Sequence, residues 1–205
     1  ANLDDALPVI VNAIVQNAGQ TCSAGSRLLV EASAYERVLE AVGARIATLK
    51  VGPAVLDFDV GPLIRASQLQ RVEGFLADAK ASAMRSIAQG SIAPESPATG
   101  FYARPTLIAD VPMEAPLACD EVFGPVLHVV RWKGDIDAVV AQVNALGYGL
   151  TLGIQTRIDS RALRIANAAR IGNVYVNRNM IGAVVGVQPF GGEGLSGTGP
   201  KAGGP

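Results

Sequence analysis

The chain has 205 residues, 49% of them hydrophobic, with a formal net charge of −1, which suits one domain or a large piece of a bigger enzyme and excludes a disordered segment. Seventeen basic residues without a cluster and only 5% aromatics argue against nucleic acid or an acidic membrane surface as a partner, and no apolar run approaches the ~20 residues of a membrane span. Two distant cysteines and one histidine give neither a disulfide framework nor a metal-ligand spacing, which points to a reducing, cytoplasmic compartment and no metal.

Asp4 is placed to cap a first helix, with Pro8 in its first turn and Leu7, Val11, Ile14 and Ala18 at helical spacing. A loop of small residues around Cys22 follows, then a short strand, Arg27 to Glu31. Tyr35, Val38, Leu39, Val42, Ile46 and Leu49 mark an amphipathic helix ended by Gly52-Pro53. Leu69, Val72, Leu76 and Ala79 mark another, after the Gly61-Pro62 turn, and residues 90 to 105 are the most loop-like stretch. From Glu121 onward the pattern regularises. Val126 to Val130 reads as a buried strand; Asp135 caps a helix closed by Gly147; Leu150 to Gln155 is a strand; Asp159 caps a helix closed by Gly172; Asn173 to Asn177 is the next strand. Strand, helix, strand, helix, strand at this spacing predicts right-handed crossovers in an α/β fold with a largely parallel sheet. Ligand sites in such sheets gather beyond the carboxyl ends of strands, which directs attention to the loop from Arg178 to Gly199. Ala1 is not a methionine and Gly203-Gly204-Pro205 closes no element, so the chain reads as part of a longer polypeptide.

A thiol is a strong nucleophile only as thiolate and only where a carbonyl carbon can reach it. Gly19-Gln20-Thr21-Cys22-Ser23-Ala24-Gly25 offers that access, although a lone cysteine is more often a small buried hydrophobe. Gly192-Glu193-Gly194-Leu195-Ser196-Gly197 spells a dinucleotide fingerprint, but the Gly- and Pro-rich residues after it cannot open the helix that this motif requires. Those glycines are read instead as points of close backbone approach. His128 alternates with apolar neighbours in a strand and is expected to be a hydrogen-bonded structural histidine; nothing pairs it with Cys22. Glu121-Val122-Phe123-Gly124-Pro125 reads equally as a solvated acid before a turn or as a functional loop, and Phe190, alone among glycines, as a pocket wall or a packing anchor.

Together these segments resemble the aldehyde dehydrogenase superfamily, specifically its catalytic half. Gly19-Gln20-Thr21-Cys22 matches the nucleophile motif, Glu121-Val122-Phe123-Gly124-Pro125 the Glu-x-Phe-Gly-Pro motif, and Pro189-Phe190-Gly191-Gly192 with Leu195-Ser196-Gly197 the late Pro-Phe-Gly-Gly loop. Residues Tyr175 to Pro205 look like the proline-catabolic branch, the L-glutamate γ-semialdehyde (Δ1-pyrroline-5-carboxylate) dehydrogenases of the bacterial proline utilization A type. The front departs from that branch: Cys22-Ser23-Ala24-Gly25-Ser26-Arg27 has the longer cysteine-to-arginine spacing of general aldehyde dehydrogenases, which favours another aldehyde.

The resemblance implies a three-layer catalytic domain over residues 1–205, with helices on both faces of a largely parallel sheet. It implies NAD(P)-dependent oxidation of an aldehyde to a carboxylate through a cysteine thiohemiacetal and thioester. Cys22 would be the nucleophile; Glu121 and Phe123 would bind the cofactor, NAD or alternatively NADP; Ser23, Gly182, Ala183 and Phe190 would bind the substrate. The family's cofactor domain, oxyanion asparagine and general-base glutamate would precede residue 1, and its oligomerisation strand would follow Pro205. By that reading the chain is inactive alone, works with an upstream cofactor-binding part of the same protein, and assembles as a homo-oligomer. An aldehyde-dehydrogenase-like assembly module without catalysis is the competing class, and retention of Cys22 and Glu121 speaks against it.

Overall fold

Asn2 starts the first helix, α1 (Leu3–Val15), by accepting the Ala6 N–H on its carbonyl and the Asp4 N–H on its side chain. Asp4 therefore lies inside the first turn, where its charge suits the helix dipole, and not at the cap. The computed structural model describes residues 2–203. These divide into two compact units: one runs from Ile10 to Trp132, and the other comprises the residues up to Val9 with those from Lys133 onward.

In the Ile10–Trp132 unit, α1 gives way to β1 (Arg27–Glu31), α2 (Tyr35–Ala47), β2 (Lys50–Val51), α3 (Ala66–Ala81), β3 (Arg85–Gln89), β4 (Ser91–Ile92), β5 (Thr106–Ala109), α4 (Pro116–Cys119) and β6 (Val126–Trp132). The main sheet has the order β1-β6-β5-β3. β6 is parallel to both β1 and β5, with Arg27 opposite His128 and Ile108 also opposite His128, while β3 joins β5 antiparallel. Being central, β6 is buried along Val126 to Val130, as an apolar run flanked on both edges must be. β2 and β4 form a separate parallel pair. α2 packs on β1, β3 and β5 through a face that includes Leu39, Val42 and Ile46, each no more than 3% exposed. Tyr35, at the start of α2, is wholly buried and its hydroxyl accepts the Asp110 N–H at 2.8 Å.

In the other unit, Asp135 caps α5 (Ile136–Ala145), its carboxylate accepting the Asp137 N–H. β7 (Tyr148–Gly149), β8 (Thr151–Ile154), α6 (Asp159–Ala168), β9 (Asn173–Val176) and β10 (Glu193–Gly194) follow. β8 and β9 are parallel across the α6 crossover, as the spacing predicts. The expectation that residues 126–130 precede them in one parallel run does not hold as a ladder: β6 pairs with β1 and β5, and β8 pairs with β9 alone. Asp159 occupies the first turn of α6 and Ile158 its cap position; α6 stops at Ala168, short of Gly172. Gly147 does terminate the preceding helix region, at φ +77°.

Candidate active site

The chain reaches Cys22 through three consecutive residues in left-handed backbone, Asn17 (φ +53°), Ala18 (φ +53°) and Gly19 (φ +71°). Such a run is costly for residues with a Cβ, on the order of 1 kcal/mol each. Side-chain bonds hold it: the Asn17 amide donates to the Gln20 carbonyl, the Gln20 amide donates back to the Asn17 carbonyl, and Ala18 is buried. At Gly19 no other residue fits, because a Cβ there would lie 2.2 Å from the Gly124 carbonyl oxygen. Cys22 then sits in a tight turn closed by the Ala24 N–H donating to the Thr21 carbonyl. Its side chain is exposed, so the buried-hydrophobe alternative is set aside. The Cys22 N–H donates to no group among the described residues. Ser23 is buried, with its hydroxyl 3.4 Å from that of Thr21.

Against Gly19 lies the Glu121–Pro125 loop. Glu121 is exposed, and its carboxylate has no hydrogen bond or ion pair among the described residues. Phe123 is half-buried at φ +58°, an unfavourable conformation for an aromatic residue. Gly124 is pinched from two sides, by Gly19 and by Val72 of α3, whose methyl would stand 2.4 Å from an added Cβ. The sequence-predicted nucleophile loop and cofactor loop are thus brought into direct backbone contact. Gln20 adds a third tie, its side-chain oxygen accepting the Ile64 N–H just before α3.

The remaining predicted residues belong to the other unit. Gly182 is exposed at φ +104°, Ala183 is half-buried, and Val184, Val185 and Val187 after them are exposed. Phe190 is half-buried and forms an isolated antiparallel bridge with Ala202, exchanging two N–H to carbonyl bonds of 2.9 Å. No helix follows the Gly192–Gly197 run among the described residues; its glycines close onto backbone, an added Cβ at Gly197 falling 1.9 Å from the Gly192 carbonyl oxygen. The close-approach reading holds. In the same unit Asn177, at φ +54°, joins the ends of β8 and β9 by accepting the Thr156 N–H and donating to the Thr156 carbonyl.

His128 departs from expectation. It is 2% exposed, yet neither ring nitrogen has a hydrogen-bond partner among the described residues. Burial first, and the charge of Arg27 second, push its pKa down to about 3. The imidazole is therefore held in its neutral form near pH 7. Arg27, opposite it on β1, is itself held below its usual range by burial, and its Nε is buried without a partner.

A profile of the aldehyde dehydrogenase family matches residues 1–205. The chain belongs to the aldehyde dehydrogenase family. It is 44% identical over 194 residues to the bifunctional protein PutA of Salmonella typhimurium, covering 92% of this chain and 14% of that protein. It is 36% identical over 206 residues to the 1-pyrroline-5-carboxylate dehydrogenase of Bacillus subtilis, covering the whole chain and 39% of that protein. Among solved structures, Thermus thermophilus 1-pyrroline-5-carboxylate dehydrogenase superposes with a TM-score of 0.91 at 38% identity, over 100% of this chain and 39% of that one. A Bacillus cereus aldehyde dehydrogenase in complex with NAD+ superposes with a TM-score of 0.89 at 30% identity, over 99% and 40%. The chain therefore spans well under half the length of these aldehyde dehydrogenase relatives, and its α/β architecture is theirs.

Two residues that sequence reasoning passed over also touch this site. Gln68 and Arg71 of α3 donate to main-chain carbonyls of the Glu121–Phe123 segment. Their only sequence signal is an i, i+3 spacing on a helix, which by itself says nothing about a loop fifty residues away.

Proposed function

We propose that the protein carrying this chain oxidises L-glutamate γ-semialdehyde to L-glutamate, with Cys22 as nucleophile. The supporting observation is an exposed thiol on a rigid turn whose loop abuts, through Gly19 and Gly124, a loop presenting a free carboxylate and an aromatic ring. The substrate reading is supported by the relatives named 1-pyrroline-5-carboxylate dehydrogenase at 36–38% identity.

Cys22 Sγ, as thiolate, bonds to the aldehyde carbon and the carbonyl oxygen becomes an oxyanion. The uncommitted Cys22 N–H is suited to donate to that oxygen, an interaction worth ~3 kcal/mol where donors are preorganised. Loss of hydride from the thiohemiacetal leaves a thioester on Cys22, and water releases the acid. A nicotinamide dinucleotide, when bound, supplies the hydride acceptor. The residues fit such a group: the unpaired Glu121 carboxylate can accept from vicinal hydroxyls, and the fixed Phe123 ring offers an apolar face. We assign NAD to this role on the strength of the NAD+-bound relative. Gly182, Ala183 and Ser23 are proposed to recognise the substrate carboxylate, and Phe190 its aliphatic stem. The upstream cofactor-binding part, the homo-oligomer and a cytoplasmic location belong to the same proposal; both cysteines are free, as a reducing compartment requires.

The test uses the intact protein. Cys22→Ser is expected to abolish NADH formation from glutamate semialdehyde; retention of a tenth of the wild-type rate overturns the assignment. Comparison of kcat/KM on glutamate semialdehyde with that on an uncharged aliphatic aldehyde decides the substrate. Preference for the uncharged aldehyde favours the reading suggested by the Cys22–Arg27 spacing.

A further inference from the structure

The segment that carries Phe190 is held by two side chains that act on its main chain. Phe190 and Ala202 exchange both N–H to carbonyl bonds at 2.9 Å, so the pair next in register is Gly191 opposite Lys201. In an antiparallel ladder that next pair brings its Cα atoms closest, to about 4.5 Å. Gly191 admits the contact because it has no side chain: a Cβ there would lie 3.1 Å from Lys201 Cα and 3.2 Å from its Cγ. The lysine stem runs across Gly191, and its ammonium donates to the Gly172 carbonyl just before β9. The next residue, Asn173, is buried, and its side-chain amide donates to the Leu150 carbonyl at 2.9 Å and to the Gly191 carbonyl at 2.8 Å.

Successive side chains of extended chain point to opposite faces. Phe190 and Ala202 therefore share one face of this short ladder, and Gly191 and Lys201 share the other. Lys201 crosses the face away from the aromatic ring and reaches the start of β9, while Asn173 takes hold of the carbonyl that follows Phe190. A ladder of neutral pairs needs no charge to close it, and among the described residues the Lys201 ammonium meets no carboxylate. What the ammonium adds is a charge-assisted hydrogen bond, roughly twice as strong as a neutral one, between the ladder and β9. A methionine stem would cover Gly191 as well but would leave the Gly172 carbonyl without that donor.

We infer that Lys201 and Asn173 are positioning residues for substrate recognition, which fix the main chain behind Phe190 and so aim its ring at the aliphatic stem of the aldehyde. The inference rests on the proposed assignment of Phe190 to that stem. Neither residue touches the substrate; each acts through the backbone of Phe190 and Gly191.

The experiment measures kcat, KM for glutamate semialdehyde, KM for NAD and the rate of Cys22 alkylation by iodoacetamide in the intact protein. Lys201→Met is expected to raise KM for the aldehyde by ~10-fold, the loss of about one useful hydrogen bond. Lys201→Arg, which keeps a charged donor, should restore part of the loss. Asn173→Asp sets a carboxylate against two carbonyls, so its effect should exceed that of Asn173→Ala. KM for NAD and Cys22 alkylation should stay within about twofold, as expected of sites that share no partner with the ladder. In a Phe190→Ala background, Lys201→Met should add less than about twofold, because no ring remains to be aimed. Lys201 is exposed, so its variants carry the test even if those at the buried Asn173 do not fold. An unchanged aldehyde KM in Lys201→Met overturns the inference. So does a parallel fall in every parameter including alkylation, or a Lys201→Met effect of the same size with and without the Phe190 ring. Phe190→Ala alone separates the two claims. If it leaves the aldehyde KM unchanged, the assignment of Phe190 fails and the inference with it; if it raises KM while the Lys201 variants do not, only the positioning role fails.

Discussion

Replacing His128 by leucine should remove a pH-dependent weakness from the central strand. In the folded protein the pKa is about 3, against 6.5 for a free imidazole. The unfolded chain therefore takes a proton as pH falls through 6.5 and the folded chain does not, so the contribution is fully present above that pH and is lost progressively down to about 3. At pH 5 the loss is roughly 2 kcal/mol, and across the whole window it is about 5 kcal/mol, at 1.36 kcal/mol per unit. That is a large share of the 5–15 kcal/mol typical of a domain. The assay is hydrogen exchange of peptides covering β6 in the intact protein at about pH 7.5 and pH 5, corrected for intrinsic rates and converted to opening free energies. The wild-type strand should lose about 2 kcal/mol more than the His128→Leu strand between the two conditions. At the higher pH the variant should match the wild type within about 1 kcal/mol, because two unsatisfied ring nitrogens leave the core as the shape changes. The same pH sensitivity in both proteins would refute the argument, since His128 is the one group that differs between them.

Gly19→Ala places a Cβ 2.2 Å from the Gly124 carbonyl oxygen at φ +71°, so it should slow Cys22 alkylation and destabilise the fold by on the order of 3 kcal/mol, read as a lower melting temperature. Gly124→Ala, pressed onto the buried Val72, should cost about as much, whereas Gly74→Ala on the same α3, with nothing within 4 Å, should stabilise by about 0.5–1 kcal/mol; melting curves of the pair test the contrast. Tyr35→Phe leaves the Asp110 N–H without its acceptor and should cost about 1–2 kcal/mol in a denaturation experiment, with no change in Cys22 alkylation.

What could be read from the chain was what repeats locally. β1 has the expected bounds, Arg27 to Glu31, and α2, α3 and α5 fall where the 3.6-residue spacing puts them, because each carries a continuous apolar face. Asp135 caps as its position suggests. β3 escaped notice because it is an edge strand whose Arg85, Ser86 and Gln89 are exposed, and β5 because a four-residue buried run has no period to detect. The assignment of β6 to the wrong neighbours has a related cause. Its partner β1 lies about a hundred residues earlier, and no local pattern records a register. The alternation of His128 with apolar neighbours predicts a satisfied histidine, but satisfaction depends on what faces the ring, which is tertiary.

The site divides along the same line. Motif spelling singles out Cys22 and Glu121 as candidates, since chemistry restricts which side chains can serve in such roles. It could not locate the groups that place them, because main-chain carbonyls and missing Cβ atoms carry no spelling. Gly19, Gly124 and Gln68 act on backbone: two by having no side chain where chains meet, one by bonding carbonyls. The loops at Cys22 and Glu121 share the Gly19–Gly124 contact and both reach the segment from Ile64 to Val72. A change in α3 is therefore expected to reach the Glu121–Pro125 loop directly and the Cys22 loop only through Gly124 or Gln20. A methyl group at Gly19 or Gly124, where the two loops touch, is expected to disturb both loops together.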